Sequence, residues 1–134
     1  MKKIAFDLDG VLVPDCDQIP HIGGLEDYYN LTLFMRPIFR PKYPWNIITG
    51  RSYIYKHLTL LWINKYFDIK PSNIWHEHDK IKLSTNEYKA YIINNEKIDL
   101  YIESDYSIVT YLRQHTGSEI IHFSQFLETN LNDK

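Results

Sequence analysis

Lys3-Ile-Ala-Phe-Asp-Leu-Asp-Gly-Val-Leu-Val13 is a short apolar run that ends abruptly in two aspartates and a glycine. Ile4, Ala5 and Phe6 are too few for an amphipathic helix. A β-branched and aromatic run closed by Gly10 reads as a buried strand entering a tight bend. Asp7 and Asp9 then stand at its carboxyl end, where open parallel α/β sheets bind their ligands. Residues two apart on a strand share a face, so both carboxylates can converge on one small volume. Two such anions repel by roughly 4 kcal/mol at about 4 Å in an effective dielectric of about 20. A cation is therefore required nearby, and Mg2+, a hard divalent ion that takes oxygen ligands, is the simplest candidate. A calcium-binding EF-hand loop is excluded, because the frame set by Asp7 puts Val11, Leu12 and Gln18 where that loop needs an acidic or amide residue, a glycine and a glutamate.

The 134 residues, 44% of them hydrophobic, are expected to form one α/β domain over 1–134 with a real core. Fifteen basic against seventeen acidic residues give a net charge of −2, which lacks the basic footprint of a duplex nucleic-acid binder. Cys16 is the sole cysteine, so an internal disulfide framework is excluded and a reducing cytoplasm is the expected location. No apolar segment approaches the roughly 18 residues that cross a bilayer, and no membrane partner is expected.

From Pro14 to Pro44 the chain is punctuated by Pro20, Gly23, Gly24, Pro37, Pro41 and Pro44, and reads as a loop insertion holding one helix over about 24–35. Arg36, Arg40 and Lys42 within it are candidates to meet the far end of a substrate. Trp45-Asn-Ile-Ile-Thr-Gly-Arg51 is a second strand ending in a hydroxyl and a glycine. Ser52 is placed to cap a helix with the stripe Ile54, Leu58, Leu61 and Trp62. Thr49, Gly50 and Arg51 would thus lie beside a helix amino terminus, which favours an anion. Asn73 to His78 reads as a third strand whose end gathers His76, Glu77, His78 and Asp79. Substrate contact, a zinc site and a plain polar strand end are its alternatives. Ser84-Thr-Asn-Glu87 matches a capping box and opens a helix to about Asn95, with Tyr88, Tyr91, Ile92 and Asn95 on one side. Lys97 to Asp105 is a fourth strand ending in Glu103-Ser-Asp105. A helix over about 106–115 and a strand over Glu119-Ile-Ile-His-Phe123 complete an alternating series.

Asp7-Leu-Asp-Gly-Val-Leu resembles the first motif, D-x-D-G-x-(L/V), of the haloacid dehalogenase superfamily of phosphatases and phosphotransferases. Thr49 after the second strand is similar to that family's second motif. Lys89 followed by a strand ending in Glu103 and Asp105 is similar to its third and fourth. The resemblance implies a three-layer, Rossmann-like, mostly parallel five-stranded sheet. Its first strand would lie centrally, between the strands ending at Thr49 and at Asp105. It also implies an Mg2+-dependent phosphomonoester hydrolase working through an aspartyl phosphate. In that family's terms Asp7 is the nucleophile, Asp9 the general acid and base, and Thr49 a phosphoryl-oxygen ligand, with Gly50 and Arg51 on the substrate. Lys89 neutralises charge, and Asp7, Asp9, Glu103 and Asp105 attend the metal. Glu103-Ser104-Asp105 departs from the family's usual paired aspartates, which leaves open which carboxylate touches the ion. Lys80 and Lys82 are upstream alternatives to Lys89.

The insertion over 14–44 is too short for a large cap, so an open site is expected. The substrate expected is a small phosphate ester, a nucleotide among the options, since Thr59 and Trp62 after Ile48-Thr-Gly-Arg51 loosely resemble small-capped nucleotidases and polynucleotide 3′-phosphatases. Two rival readings are a receiver-like phospho-accepting domain and a catalytically silent binding module on the same fold.

Overall fold

The computed structural model describes residues 2–18, 23–78 and 82–132; Pro20, Asp79 and Lys80 lie outside them. Five strands, β1 (Ile4–Phe6), β2 (Asn46–Ser52), β3 (Asn73–Glu77), β4 (Leu100–Glu103) and β5 (Glu119–His122), form one sheet in the order β3-β2-β1-β4-β5. Every pairing is parallel, and β1 lies centrally between β2 and β4. Among the described residues five helices accompany it: α1 (Leu25–Thr32), α2 (Lys56–Tyr66), α3 (Thr85–Asn95), α4 (Tyr106–His115) and α5 (Phe123–Asn132). This is the three-layer, Rossmann-like α/β arrangement expected.

Strand alternation divides the core in two. Phe6, Ile47 and Ile102 join Trp62, Ile63 and Phe126 of α2 and α5 on one face. Ala5, Ile48 and Tyr101 join Tyr88, Ile93, Val109 and Leu112 of α3 and α4 on the other. Continuing the alternation one step beyond Phe6 and Ile102 turns Asp7 and Glu103 toward α3. Tyr28 and Tyr29 of α1 form a smaller cluster with Leu58 of α2. The insertion is tied down where the Ile38 amide donates to the Leu12 carbonyl and the Trp62 indole donates to the Met35 carbonyl.

Several local expectations are corrected. Ser52 ends β2, and its hydroxyl caps only a 3-10 turn over Tyr53–Tyr55, so α2 begins at Lys56. That tighter turn shifts the helical phase. The buried residues of α2 are Leu58, Thr59, Trp62 and Ile63, while Ile54 and Leu61 are 61% and 57% exposed. In α1 the helical stripe that the sequence offers, Leu25, Tyr28, Tyr29 and Thr32, is buried except at Leu25, which is exposed. In α3 the capping box of Ser84 and Glu87 forms, but Tyr91 and Asn95 face solvent and Lys89 is buried. β4 starts only at Leu100, because the chain leaves α3 through Lys97 in the left-handed region (φ 54°). Phe123 opens α5 instead of closing β5, and its ring and that of Phe126 are buried. No helix among the described residues is long and apolar enough to cross a membrane.

Candidate active site

Asp7 follows the last residue of the central strand. Its amide bonds to the Ile102 carbonyl of β4 at 2.9 Å, which carries the sheet's order into the loop. Gly10 makes the turn beyond it with φ +88°, and a Cβ there would lie 2.4 Å from Ser104 Oγ. Only glycine meets both demands without strain. The turn brings Asp9 back over the pocket.

Lys89 reaches up from α3 on the face to which Asp7 and Glu103 turn. Its ammonium lies 2.7 Å from Glu103 Oε1 and 3.3 Å from Asp7 Oδ1, with all three side chains buried. Burial works against the ammonium, but the two carboxylates outweigh it and raise the pKa of Lys89. Asp7 is pushed well above the usual carboxylate range by burial and then by the charge of Glu103, with Lys89 opposing. Glu103 resists its own burial through Lys89 and is held low. Its Oε1 also accepts from Tyr101, and its Oε2 accepts from the amides of Ser104 and Asp105, so both oxygens are in use. Lys82 is exposed. Lys89 is the lysine beside Asp7.

Asp9 is held from the insertion side. Arg51 donates Nε to Oδ2 at 2.9 Å and Nη2 to Oδ1 at 2.7 Å, and the Tyr28 hydroxyl shares its proton between Oδ1 at 2.8 Å and the Pro14 carbonyl at 2.5 Å. The guanidinium is itself buried, 4.3 Å from the centre of the Tyr29 ring. Arg51 therefore neither faces solvent nor stands free for a phosphate in this state.

Thr49 is fully buried, and its hydroxyl accepts from the Arg51 amide at 3.1 Å, beneath the pocket wall made by Gly50 and Arg51. The expected neighbouring helix terminus is absent, since β2 continues past a bulge to Ser52 and α2 starts at Lys56. What approaches Gly50 instead is Thr85 at the start of α3, 3.0 Å from where a Cβ would stand.

The cavity, about 170 Å³, is lined by the carboxylates of Asp7, Asp9, Asp15, Glu103 and Asp105 against the cations of Lys89 and Arg51. Sequence reasoning missed Asp15. Burial, with Asp9, Asp17 and Glu103 nearby, raises its pKa. No three His, Cys, Asp or Glu side chains among the described residues already stand grouped to hold a metal ion. The excess of anionic oxygen over cations nevertheless fits Mg2+ in charge and donor type. With Glu103 fully engaged and Asp9 gripped by Arg51, the groups left to hold the ion are Asp7, the main-chain carbonyl of Asp9 and Asp105. Among the described residues, the three hydrogen bonds to the Asp105 carboxylate all fall on Oδ1, from Ser107 and Ile108 at the start of α4. The Ser107 hydroxyl leads in keeping the Asp105 carboxyl low.

The remaining candidates lie elsewhere. His76 is buried with neither ring nitrogen in a well-formed hydrogen bond among the described residues; burial lowers it to about 4. His78 is exposed and stacks on Tyr53, so the two histidines do not share a site. Arg40 donates to the Tyr66 carbonyl and, with Lys42, lines a separate cavity beside Phe67 and Ile69. Those residues precede β2 and β3, at the amino edge of the sheet and opposite Asp7. Trp62 and Thr59 are core, not a stacking surface.

No family model matches the sequence, and no curated protein matches it. Among solved structures, a chain in "Structure of the Pnkp1/Rnl/Hen1 RNA repair complex" aligns with a TM-score of 0.64 at 16% identity. That likeness is one of fold alone. It covers 90% of this chain but 42% of the other, so this chain spans less than half the length of that relative.

Proposed function

We propose that this protein hydrolyses phosphate monoesters in two steps through an aspartyl phosphate on Asp7. The observation that carries the reading is the buried contact of Lys89 with both Asp7 and Glu103 at the tip of the central strand. A carboxylate that must meet an anionic phosphate needs a fixed cation at its side, and a buried ammonium acts there with little screening. Asp7 attacks phosphorus, the ester oxygen departs, and Asp9 supplies its proton. Water then attacks the aspartyl phosphate, giving up a proton to Asp9 and releasing phosphate and the Asp7 carboxylate. Arg51 exchanges Asp9 for a phosphate oxygen as substrate enters, which frees Asp9 to carry the proton. Mg2+, when bound by Asp7, the Asp9 carbonyl and Asp105, supplies charge neutralisation between nucleophile and phosphate.

The second reading, a silent binding module, is favoured by two observations: Asp9 has both oxygens engaged, and Thr49 lies outside the pocket. A receiver-like domain would need its phosphorylated aspartate after β3, where Asp79 lies outside the described residues.

Hydrolysis of p-nitrophenyl phosphate with and without Mg2+ separates these, with Asp7→Asn as control. Metal-dependent turnover lost in Asp7→Asn supports the phosphatase. Absence of turnover while Mg2+ and beryllofluoride still bind supports a phospho-accepting role, and failure to bind either supports the silent module.

A further inference from the structure

A cavity of about 170 Å³ is smaller than the sites of about 300–1,000 Å³ that enclose whole small molecules. A phosphate group fills it, and the rest of an ester must lie on the rim. Tyr106 is next in sequence to Asp105 and two residues before Ile108, both of which line the cavity, while Tyr106 itself lies just outside the lining. Its ring lies flat on the imidazole of His122, 3.7 Å between centres and 3° between planes, yet the residue is 67% exposed. One face is covered and the other is open to solvent.

The pair is braced. His122 Nε2 faces the carbonyl oxygen of Ser104 at 2.7 Å, which can only accept, so the proton sits on Nε2. Nδ1 is left to accept from Ser124, through its amide at 3.2 Å and its hydroxyl at 2.7 Å. The Tyr106 hydroxyl reaches the same Ser124 hydroxyl at 3.5 Å. A large apolar ring fixed in this way loses little freedom when a second ring settles on it.

We propose that the Tyr106–His122 pair is a ledge that stacks the base of a nucleotide whose phosphate occupies the Asp7 pocket. The inference rests on the phosphate-binding reading of that pocket. Charge narrows the class further. Asp15, Asp17 and Asp105 border the adjoining cleft, and that acidic rim opposes the extra charge of a polyphosphate chain. The ligand that fits is a nucleoside monophosphate. Tyr53, the other tyrosine stacked at this edge of the sheet, serves as a comparison. It is already covered by His78 at 5.2 Å, has Lys56 5.3 Å from its centre, and is 48% exposed.

The test is calorimetric binding, with Mg2+, of adenosine 3′- and 5′-monophosphate, ribose 5-phosphate and inorganic phosphate to Asp7→Asn protein, which removes the nucleophile. Stacking on an aromatic side chain is expected to make one adenosine monophosphate bind about tenfold or more tighter than ribose 5-phosphate. Adding Tyr106→Ala should bring that ratio near one, Tyr106→Phe should keep it, and Tyr53→Ala should leave it alone, with inorganic phosphate binding unchanged throughout. Adenosine monophosphate binding no tighter than ribose 5-phosphate would overturn the ledge, as would a ratio indifferent to Tyr106→Ala or abolished by Tyr53→Ala. Because the readout is binding, a wild-type protein that turns over neither p-nitrophenyl phosphate nor either adenosine monophosphate would sink the phosphatase without touching this result.

Discussion

Arg51 and Asp9, forty-two residues apart, are joined by a two-pronged ion pair of 2.9 and 2.7 Å that clamps the second aspartate of the Asp7-Leu-Asp motif. The fork is specific to a guanidinium, so an ammonium cannot reproduce it. Arg51→Lys should therefore cost about 1–3 kcal/mol of stability, the range of a charge-assisted hydrogen bond. It should also cut kcat for p-nitrophenyl phosphate by roughly 10- to 100-fold, since the same group is assigned to the phosphate. Tyr28→Phe, which removes a donor to Asp9 but no charge, should cost about 1 kcal/mol. Urea unfolding beside steady-state kinetics checks both. A Lys variant with wild-type kcat would remove Arg51 from the proposed cycle.

Lys89 separates stability from chemistry. Lys89→Met leaves Asp7 and Glu103 facing each other in a buried site with no cation, and removing one partner of a buried pair costs about 3–5 kcal/mol. Combining it with Glu103→Gln removes the stranded charge, keeps an acceptor for the Ser104 and Asp105 amides, and should recover most of that loss. Turnover should stay abolished in both, because Asp7 still lacks its cation. Recovery of activity together with stability would mean that Lys89 serves the fold alone.

Much of this site follows from short-range pattern. A run of Ile4-Ala-Phe6 ending in Asp7 gives a strand and its end. The alternation of Tyr101, Ile102 and Glu103 puts Glu103 on the face of Ala5, and hence of Asp7 and α3. The capping box at Ser84 marks the start of α3, but the stripe through Tyr91 and Asn95 points to the wrong face, and the inward direction of Lys89 is set by packing against the sheet. Other features depend on distance in the fold. Tyr28 meets Asp9 only because α1 packs through Tyr28 and Tyr29 against Leu58 of α2, and nothing in Leu25 to Thr32 points to a carboxylate nineteen residues earlier. The 3-10 turn at Tyr53 breaks a stripe that looks continuous, so Ile54 and Leu61 read as core when they are not. Phe123 and Phe126 have helical spacing, but Phe123 also extends the apolar run of β5, and packing against Phe6 and Phe39 decides for the helix.

Gly10 carries a steric prediction. At φ +88° a Cβ is strained, and the atom would also meet Ser104 Oγ at 2.4 Å and Ser104 Cβ at 2.9 Å. Gly10→Ala should lose about 1–2 kcal/mol from the backbone conformation, with a further loss from the clash. Adding Ser104→Gly removes the obstructing side chain and should return only the second part. Equal stability of the single and double variants in urea would show that Ser104 gives way freely.

His76 makes stability depend on pH with a definite sign. Its ring is buried on β3 beside Thr49, with no well-formed hydrogen bond to either nitrogen among the described residues, and burial lowers it from 6.5 to about 4. The charges of Arg51 and Lys56 lower it further, while the Arg51 main chain and Asp9 oppose them. Between those two values the unfolded chain binds a proton that the folded chain excludes, so stability is complete above about pH 6.5 and falls as the pH drops toward 4. The loss attributable to His76 should be of the order of 2–3 kcal/mol. Asp7 and Asp15, whose carboxyls are raised, act in the opposite direction over part of this range, so the difference between wild type and His76→Asn isolates the histidine. Thermal unfolding at pH 7 and pH 4.5 should show the wild type losing more than the variant. Parallel losses would mean that the ring is charged inside the fold, with the Arg51 main chain as its acceptor.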